Sequence, residues 1–336
     1  MSAPARGGAP GAVPTASRRE RVVRALLSVG PIFVVLAVLL FCTTLVSPFF
    51  LNPPLFLSFL ARSAPLMILA AGTTFVLVSG EFDLSLGSLV TVVVVVAARL
   101  SEGEASRTWW ILLVLAGLGV LVGLVNGVVT TRLGVPSFIT TLGMLLILQG
   151  AVFLWTGGAP TGDLAENLRE FGRGRIDDVP VITSLPYAVL LLVAVGAIAA
   201  YLLGGSDFGR RLFAVGGNAR AAALSGVNVA NVRTAAFVIS ALSAVVAGVL
   251  LAGIGGISAQ VGIGLEFEAI AAAVLGGVVL GGGRGSVLAA MAGALSLETL
   301  FTLLNFLGVP GALEDAVQGV IIIGAVAFAS LRGRGG

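Results

Sequence analysis

The sequence predicts an all-α integral membrane protein of about ten transmembrane helices, with both termini in the cytoplasm. Three observations carry this expectation. Of 336 residues, 57% are hydrophobic and only 10% charged, where a soluble domain would hold roughly a quarter charged residues. Apolar runs long enough for a bilayer recur from about residue 26 to 331. Arginines and acids also fall in alternate connections, as they do when positive charge stays inside.

The elements follow in chain order. Met1 to Thr15 is rich in Ala, Pro and Gly, which cannot bury enough apolar surface to fold. Residues 1–24 are therefore expected to be a disordered cytoplasmic tail, 25–331 the membrane domain and 332–336 a second tail. Arg18, Arg19, Arg21 and Arg24 precede the first apolar run. A signal peptide is the alternative, but the run is too long and no A-x-A-like site follows. Ten spans fit, near 26–47, 64–80, 84–99, 109–129, 137–156, 186–204, 229–251, 266–281, 286–306 and 313–331.

Charge placement tests that count. With the N-terminus inside, inner connections receive Arg132, Arg210, Arg211, Arg220, Arg233, Arg284, Arg332 and Arg334. Outer connections receive Glu102, Glu104, Glu266, Glu268, Glu314 and Asp315. Arg107, Arg169, Arg173 and Arg175 are outer exceptions, three of them in a long loop where the rule weakens. The third and eighth spans have only about 14–16 strongly apolar residues, or roughly 21–24 Å of helix against a core of about 30 Å. They read as broken or partly re-entrant helices, which need protein or a watery cavity around their freed backbone. Small residues at four-residue spacing mark packing faces: Gly119, Gly123 and Gly127; Ser240, Ala244 and Gly248; Gly277 and Gly281.

Absences narrow the function. The chain has no Lys, so it holds no phosphate-binding loop of the G-x-x-x-x-G-K-[ST] type. It has no His, the commonest proton relay and metal ligand. Cys42 is its single Cys and cannot form an internal disulfide. The net charge of +3 sits in short arginine clusters beside apolar runs, which does not suggest nucleic-acid binding.

Three segments carry the functional signal. Val78 to Ser88 (VSGEFDLSLGS) joins the second and third spans and places two carboxylates at the membrane boundary. A charge at mid-bilayer costs about 2.5–3.5 kcal/mol on insertion scales, so these positions need a reason. Asp83 or Ser85 can cap the third helix; the other reading is a polar hinge near a cytoplasmic gate. Next, Phe208 to Asn228 contains Asn218 as an N-cap, Ala219 to Ser225 as helix formers and Gly226 as a stop. That spells a two-turn helix in the cytoplasm, too short to span. Third, Gly264 to Ser286 opens with Glu266 and Glu268 at a helix start, where carboxylates favour the dipole. Its glycines Gly281, Gly282, Gly283 and Gly285 permit a tight turn beside Arg284. A nucleotide fingerprint fails there because no strand precedes them.

These segments resemble the permease subunits of ATP-binding-cassette importers of the ribose, xylose and autoinducer-2 type. Val78 to Ser88 is similar to the family's G-G-I-D-L-S-V-G-S, with Glu81 for Gly and Phe82 for Ile. Gly209 to Val227 is similar to G-R-x-x-Y-A-I-G-G-N-x-x-A-A-x-L-S-G-I, with Phe213 for Tyr. Gly264 to Ser286 is similar to G-Y-E-L-D-A-I-A-A-x-x-L-G-G…S-G-G-R-G-S, with Leu265 for Tyr and Glu268 for Asp. Asn126-Gly127 and Pro136 to Gly143 are weaker matches, and the likeness covers most of residues 60–330. Leu133-Gly134-Val135-Pro136 also recurs as Leu307-Gly308-Val309-Pro310.

The resemblance implies import of a sugar or similar small polar solute by alternating access. It implies two permease copies, each with a separate ATPase that binds ATP and Mg, and an external binding protein. This chain itself would hold no cofactor and no catalytic residue. Gly217, Asn218, Ala221, Ala222, Leu224, Ser225 and Gly226 would form the coupling helix on the ATPase. Glu266, Glu268 and the loop 157–185 would meet the binding protein. Asp83, Ser85, Glu298 and Asn305 are gate or pathway candidates, with Gln149 a further intramembrane polar residue. Interhelical hydrogen bonding is the other reading of Glu298. A branched-chain amino-acid permease of the same machinery is the nearest alternative. An ion-coupled secondary transporter is the alternative from another class, though such proteins carry more mid-membrane charges.

Overall fold

The computed structural model describes residues 30–180, 182–313, 316–317, 319–320 and 323–324. The expected N-terminal tail, and most of the expected tenth span, lie outside the described residues. Twelve α-helices appear among those described: α1 (Pro31–Val46), α2 (Pro53–Val78), α3 (Leu86–Ser101), α4 (Thr108–Arg132), α5 (Ser137–Thr156), α6 (Glu166–Arg173), α7 (Tyr187–Gly204), α8 (Asp207–Gly217), α9 (Ala219–Leu224), α10 (Val229–Gly255), α11 (Leu265–Leu275) and α12 (Val287–Phe306). A short antiparallel hairpin, β1 (Arg175–Val179) and β2 (Thr183–Pro186), is the only strand pair among them.

Six helices are long and apolar enough to cross a membrane, namely α2, α4, α5, α7, α10 and α12, with the short turn Ala105–Arg107 leading into α4. The chain is a membrane protein. Two thirds of the apolar stretch of α2 and of α10 is buried, against about a fifth of α5, so α2 and α10 form the core. α10 packs along α4, α2 and α3, while α12 packs against α1, α11 and α2.

Helix α2 begins eleven residues before the expected second span, at Pro53 in its first turn, and runs through Pro65. Proline suits a helix start because its missing N–H has no partner there anyway. Ser58, Arg62 and Ser63 interrupt the hydropathy, so the apolar pattern alone starts the span too late. Helix α3, at 16 residues, is about 24 Å long. The expected eighth span is a half-helix: α11 has 11 residues, about 16 Å, and then gives way to the turn around Gly281 to Gly285.

Two of the three small-residue stripes pack as expected. A Cβ on Gly123 would lie 2.6 Å from the Val238 Cα, and one on Gly127 2.7 Å from the Thr234 Cα, so α4 and α10 touch backbone to backbone. A Cβ on Gly248 would lie 2.6 Å from Val93, seating α10 on α3. The third stripe is not a packing face. Gly277 and Gly281 have open space beside them, and Gly277, at φ +86°, serves the chain reversal after α11. The repeated Leu-Gly-Val-Pro has a local cause, since Gly134 and Gly308 both take left-handed conformations, φ +72° and +75°, where a helix ends.

The connections segregate to two ends. Residues 79–85, 133–136, 205–228 and 276–286 meet at one, joined by Gly283 N–H to the Val78 carbonyl (2.9 Å) and Phe82 N–H to Ser137 Oγ (3.1 Å). Arg132, Arg210, Arg211, Arg220, Arg233 and Arg284 all sit on or beside these connections. At the other end, Ala165 N–H bonds Ser101 Oγ (2.7 Å) and Gly103 N–H bonds the Asp163 carbonyl (2.9 Å). The arginines that break the charge rule are locally engaged there. Arg107 pairs with Glu102 (2.8 Å) and Glu104 (2.9 Å), Arg169 with Asp163 (2.7 Å), and Arg173 bonds the Ile254 carbonyl (2.9 Å).

Candidate functional site: a hinge, an elbow and a cavity

The α2–α3 connection folds back into the bundle instead of lying on its surface. Asp83 is 1% exposed and Ser85 equally buried. Asp83 Oδ1 accepts the Ser85 N–H (3.0 Å) and the Ser85 hydroxyl (2.7 Å), and Ser85 Oγ accepts from the Asn126 amide (2.9 Å). Asn126 lies six residues, about 9 Å, before the end of α4, so α3 starts well inside the bundle. Neither candidate caps α3 with its side chain. The Ser85 hydroxyl is already committed to Asp83 and Asn126, and Asp83 Oδ1 is taken up by Ser85.

The departure at Glu81 brings its own counter-ion. Glu81 meets Arg233, in the first turns of α10, at 2.7 Å. The same loop is clasped through backbone. A Cβ on Gly216 would overlap the Val78 carbonyl oxygen, and Gly282 and Gly283 press on Gly80 and Gly217. Three segments from distant parts of the chain thus meet without side chains between them.

Gly216 belongs to an elbow at this end of the bundle. Helix α8, capped by Ser206 accepting from Gly209 N–H (3.1 Å), runs into α9, capped by Asn218 accepting from Ala221 N–H (2.9 Å). Gly226 takes φ +83° after α9, a conformation that stops a helix. The two-turn helix anticipated at 219–225 is present as Ala219–Leu224. Gly217, Asn218, Ala221, Leu224, Ser225 and Gly226 are exposed, with Leu224 at 84%. Ala222 is the exception: it is 5% exposed and faces the core, so it offers no docking surface.

Glu266 is not on an outer loop. It is 6% exposed, at the first turn of α11, and the space a Gly87 Cβ would fill is taken by its carboxylate and by the Gly262 carbonyl. Gly262 N–H in turn bonds Thr91 Oγ1 (3.1 Å). The starts of α3 and α11 therefore abut inside the bundle, both N-terminal, positive dipole ends. Glu268 is half-buried on the same helix.

Glu298 and Asn305 share one cavity of about 690 Å3 between the α1–α2 connection, α2 and α12. Ser47, Ser58, Arg62 and Thr302 add polar groups to its wall, and Phe50, Phe59, Phe301 and Phe306 add rings. Phe50 organises the apolar part, with its ring 5.1 Å from Phe59 and 6.2 Å from Phe306. The cavity lies at the end opposite the elbow, beside the hairpin, where Arg175 reaches Ser58 Oγ (3.4 Å). Asp83 and Ser85 are not among the residues lining it.

Residues 55–326 match the family model described as branched-chain amino acid transport system / permease component. The chain belongs to this family. Among curated proteins, the permease is similar to the ribose import permease protein RbsC of Escherichia coli (strain K12), 34% identical over 317 residues, covering 93% of this chain and 97% of the relative. It is 32% identical to the galactose/methyl galactoside import permease protein MglC of Haemophilus influenzae over 325 residues, 91% and 95% of the two chains. The autoinducer 2 import system permease protein LsrC of Yersinia pseudotuberculosis is 35% identical over 267 residues, 78% and 73%. No solved structure is a significant match.

Sequence reasoning missed Arg62 and Asn126 as functional candidates in this permease. Arg62 escaped because the second span was started after it. With the helix read from Pro53, it becomes a charge inside an apolar helix and flags itself. Asn126 carried only a weak-match signal, and nothing in its local sequence says that it meets the α2–α3 connection.

Proposed function

We propose that this chain is the membrane-spanning subunit of an ATP-driven sugar importer. The observation that carries the reading is the pair of relatives spanning more than nine tenths of the chain, both import permeases for monosaccharides. The cavity supports it chemically: hydroxyl groups of a sugar suit the carboxylate, guanidinium, amide and hydroxyl groups that line it, and its C–H faces suit the phenylalanine rings. Glu298, Asn305 and Arg62 are proposed pathway residues. Asp83 and Ser85 are proposed parts of the gate.

Two copies enclose the path, each with ten spans and cytoplasmic termini. A separate ATPase binds ATP and Mg and docks on the exposed face of α9. An external binding protein delivers substrate at the opposite end, where 157–185 forms α6 and the hairpin. Of the two docking carboxylates, Glu268 is the one with some solvent access. Closure of the ATPase pair moves the elbow, and the backbone clasp at Gly216 passes that movement to Val78 and the α2–α3 connection.

The family description favours one second reading, import of a branched-chain amino acid; Arg62 and Glu298 could face the two charges of a zwitterion. The deciding experiment reconstitutes the permease with its ATPase and binding protein in vesicles. ATP-dependent uptake of labelled pentose or hexose is expected. Leucine uptake in place of sugar would favour the amino-acid reading, and uptake on an ion gradient without ATP would overturn both.

A further inference from the structure

The mouth of the cavity carries more positive charge than a neutral sugar needs. Arg62 stands in the third turn of α2, about 14 Å from the helix start, among apolar residues. An ionisable group at such a depth is costly and marks function. Ser58, one turn nearer the rim, lies on the same face of the helix, and both residues line the cavity. A second guanidinium reaches this point from the outer loop: Arg175 Nη2 lies 3.4 Å from Ser58 Oγ. The Ser58 hydroxyl donates to the Pro54 carbonyl (2.8 Å), which leaves its oxygen to accept from Arg175.

Arg175 is held at the rim by backbone. It opens β1 at the base of the hairpin, opposite Pro186. The Tyr187 N–H bonds the Gly174 carbonyl (3.0 Å), and a Cβ on Gly174 would lie 2.6 Å from the Tyr187 ring, so only glycine lets the base close. Strand β2 packs against α2. Neither arginine is neutralised in place. No ion pair among the described residues includes Arg62 or Arg175. Asp177 and Asp178, further along β1, are exposed, and Glu298 is the one carboxylate among the described residues that line the cavity.

We propose that Arg175 is a specificity-determining residue, and that Arg62 and Arg175 together receive an anionic group of the transported solute beside Ser58. The solute is then a sugar that bears an acid group, a carboxylate or a phosphate. This inference rests on reading the cavity as the sugar path. Arginine suits the task because its planar fork gives paired N–H donors to either oxyanion and keeps its charge at any working pH. A neutral hydroxyl would leave two guanidiniums without a matching charge. Placed at the rim, Arg175 also draws an anion towards the opening before Arg62 binds it.

Thiol chemistry at Ser58 tests the charge without transport. Cys42→Ala removes the single natural thiol, and Ser58→Cys places one beside both arginines of the full permease in lipid vesicles. Rates are taken relative to those of a free thiol in solution. The anionic ethylsulfonate methanethiosulfonate should then react about fivefold or more faster than its cationic trimethylammonium analogue, the factor for one unit charge about 4 Å away in water-like surroundings. Arg175→Gln should lower that ratio about fivefold, and Arg175→Lys should keep it. A cationic preference, or a ratio unmoved by Arg175→Gln, would overturn the proposal. Glucuronate or glucose 6-phosphate should slow the labelling, and glucose should not. Protection by glucuronate assigns the carboxylate, and protection by glucose 6-phosphate the phosphate. Equal protection by glucose, or none from any of the three, would sink the acidic solute. Labelling needs neither ATPase nor binding protein, so an anionic preference without any sugar uptake would strike the importer reading alone.

Discussion

Arg233 and Glu81 form a 2.7 Å ion pair that ties the start of α10 to the α2–α3 connection, and both side chains are largely shielded from solvent. The pair joins the helix that follows the elbow to the loop that carries Asp83. Its strength lies between an exposed pair, under about 1 kcal/mol, and a buried one, whose disruption costs about 3–5 kcal/mol. Glu81→Ala should therefore lower stability by about 1–2 kcal/mol, read as a lower melting temperature in detergent. Exchanging the charges, Glu81→Arg with Arg233→Glu, should recover part of the loss. A double-mutant cycle with no coupling energy would show that the pair contributes nothing.

The glycine clasp predicts a sharp contrast between neighbours. Gly216→Ala drives a Cβ into the Val78 carbonyl, and backbone must shift to relieve it. Overpacking of this kind costs about 1–3 kcal/mol and should also reduce ATP-dependent uptake. Gly217 has open space at its Cβ and no left-handed φ, so Gly217→Ala should leave stability unchanged. Equal melting temperatures for the two variants would remove the clasp from the mechanism.

At the elbow, exposure separates docking from packing. Leu224 is 84% exposed on a six-residue helix of small side chains, so Leu224→Glu should leave the fold intact. It should weaken co-purification of the ATPase by roughly 30-fold or more, the scale of a hot-spot contact. Ala222→Arg would instead push a charge into the core, and it should lower expression in the membrane before any effect on docking can be read. Undiminished ATPase binding by Leu224→Glu would move the docking face elsewhere.

For the cavity, Glu298→Gln and Arg62→Ala should each reduce sugar uptake by about 10–100-fold, the range for a lost hydrogen bond to a charged group. Basal ATP hydrolysis by the assembled importer should be retained. Phe301→Ala should weaken uptake less, because a stacking ring contributes about 0.5–1.5 kcal/mol beyond its area. Normal uptake in all three variants would exclude this cavity from the path.

The amino-acid order by itself determined the membrane character, most helix positions, the α9 turn with its Asn218 cap and Gly226 stop, and the family. These signals are local: hydropathy over twenty residues, a cap over four, a left-handed glycine at one position. Tertiary structure alone decided that Glu266 is buried, that Ala222 faces inward, and that Glu298 shares a cavity with Arg62. It also decided that Ser85, beside Asp83, meets Asn126. Each of these depends on segments 40 to 240 residues apart being brought together by packing. A side chain's neighbours across a bundle are set by backbone approach at glycines such as Gly123 and Gly216, and no short stretch of sequence encodes the partner they meet.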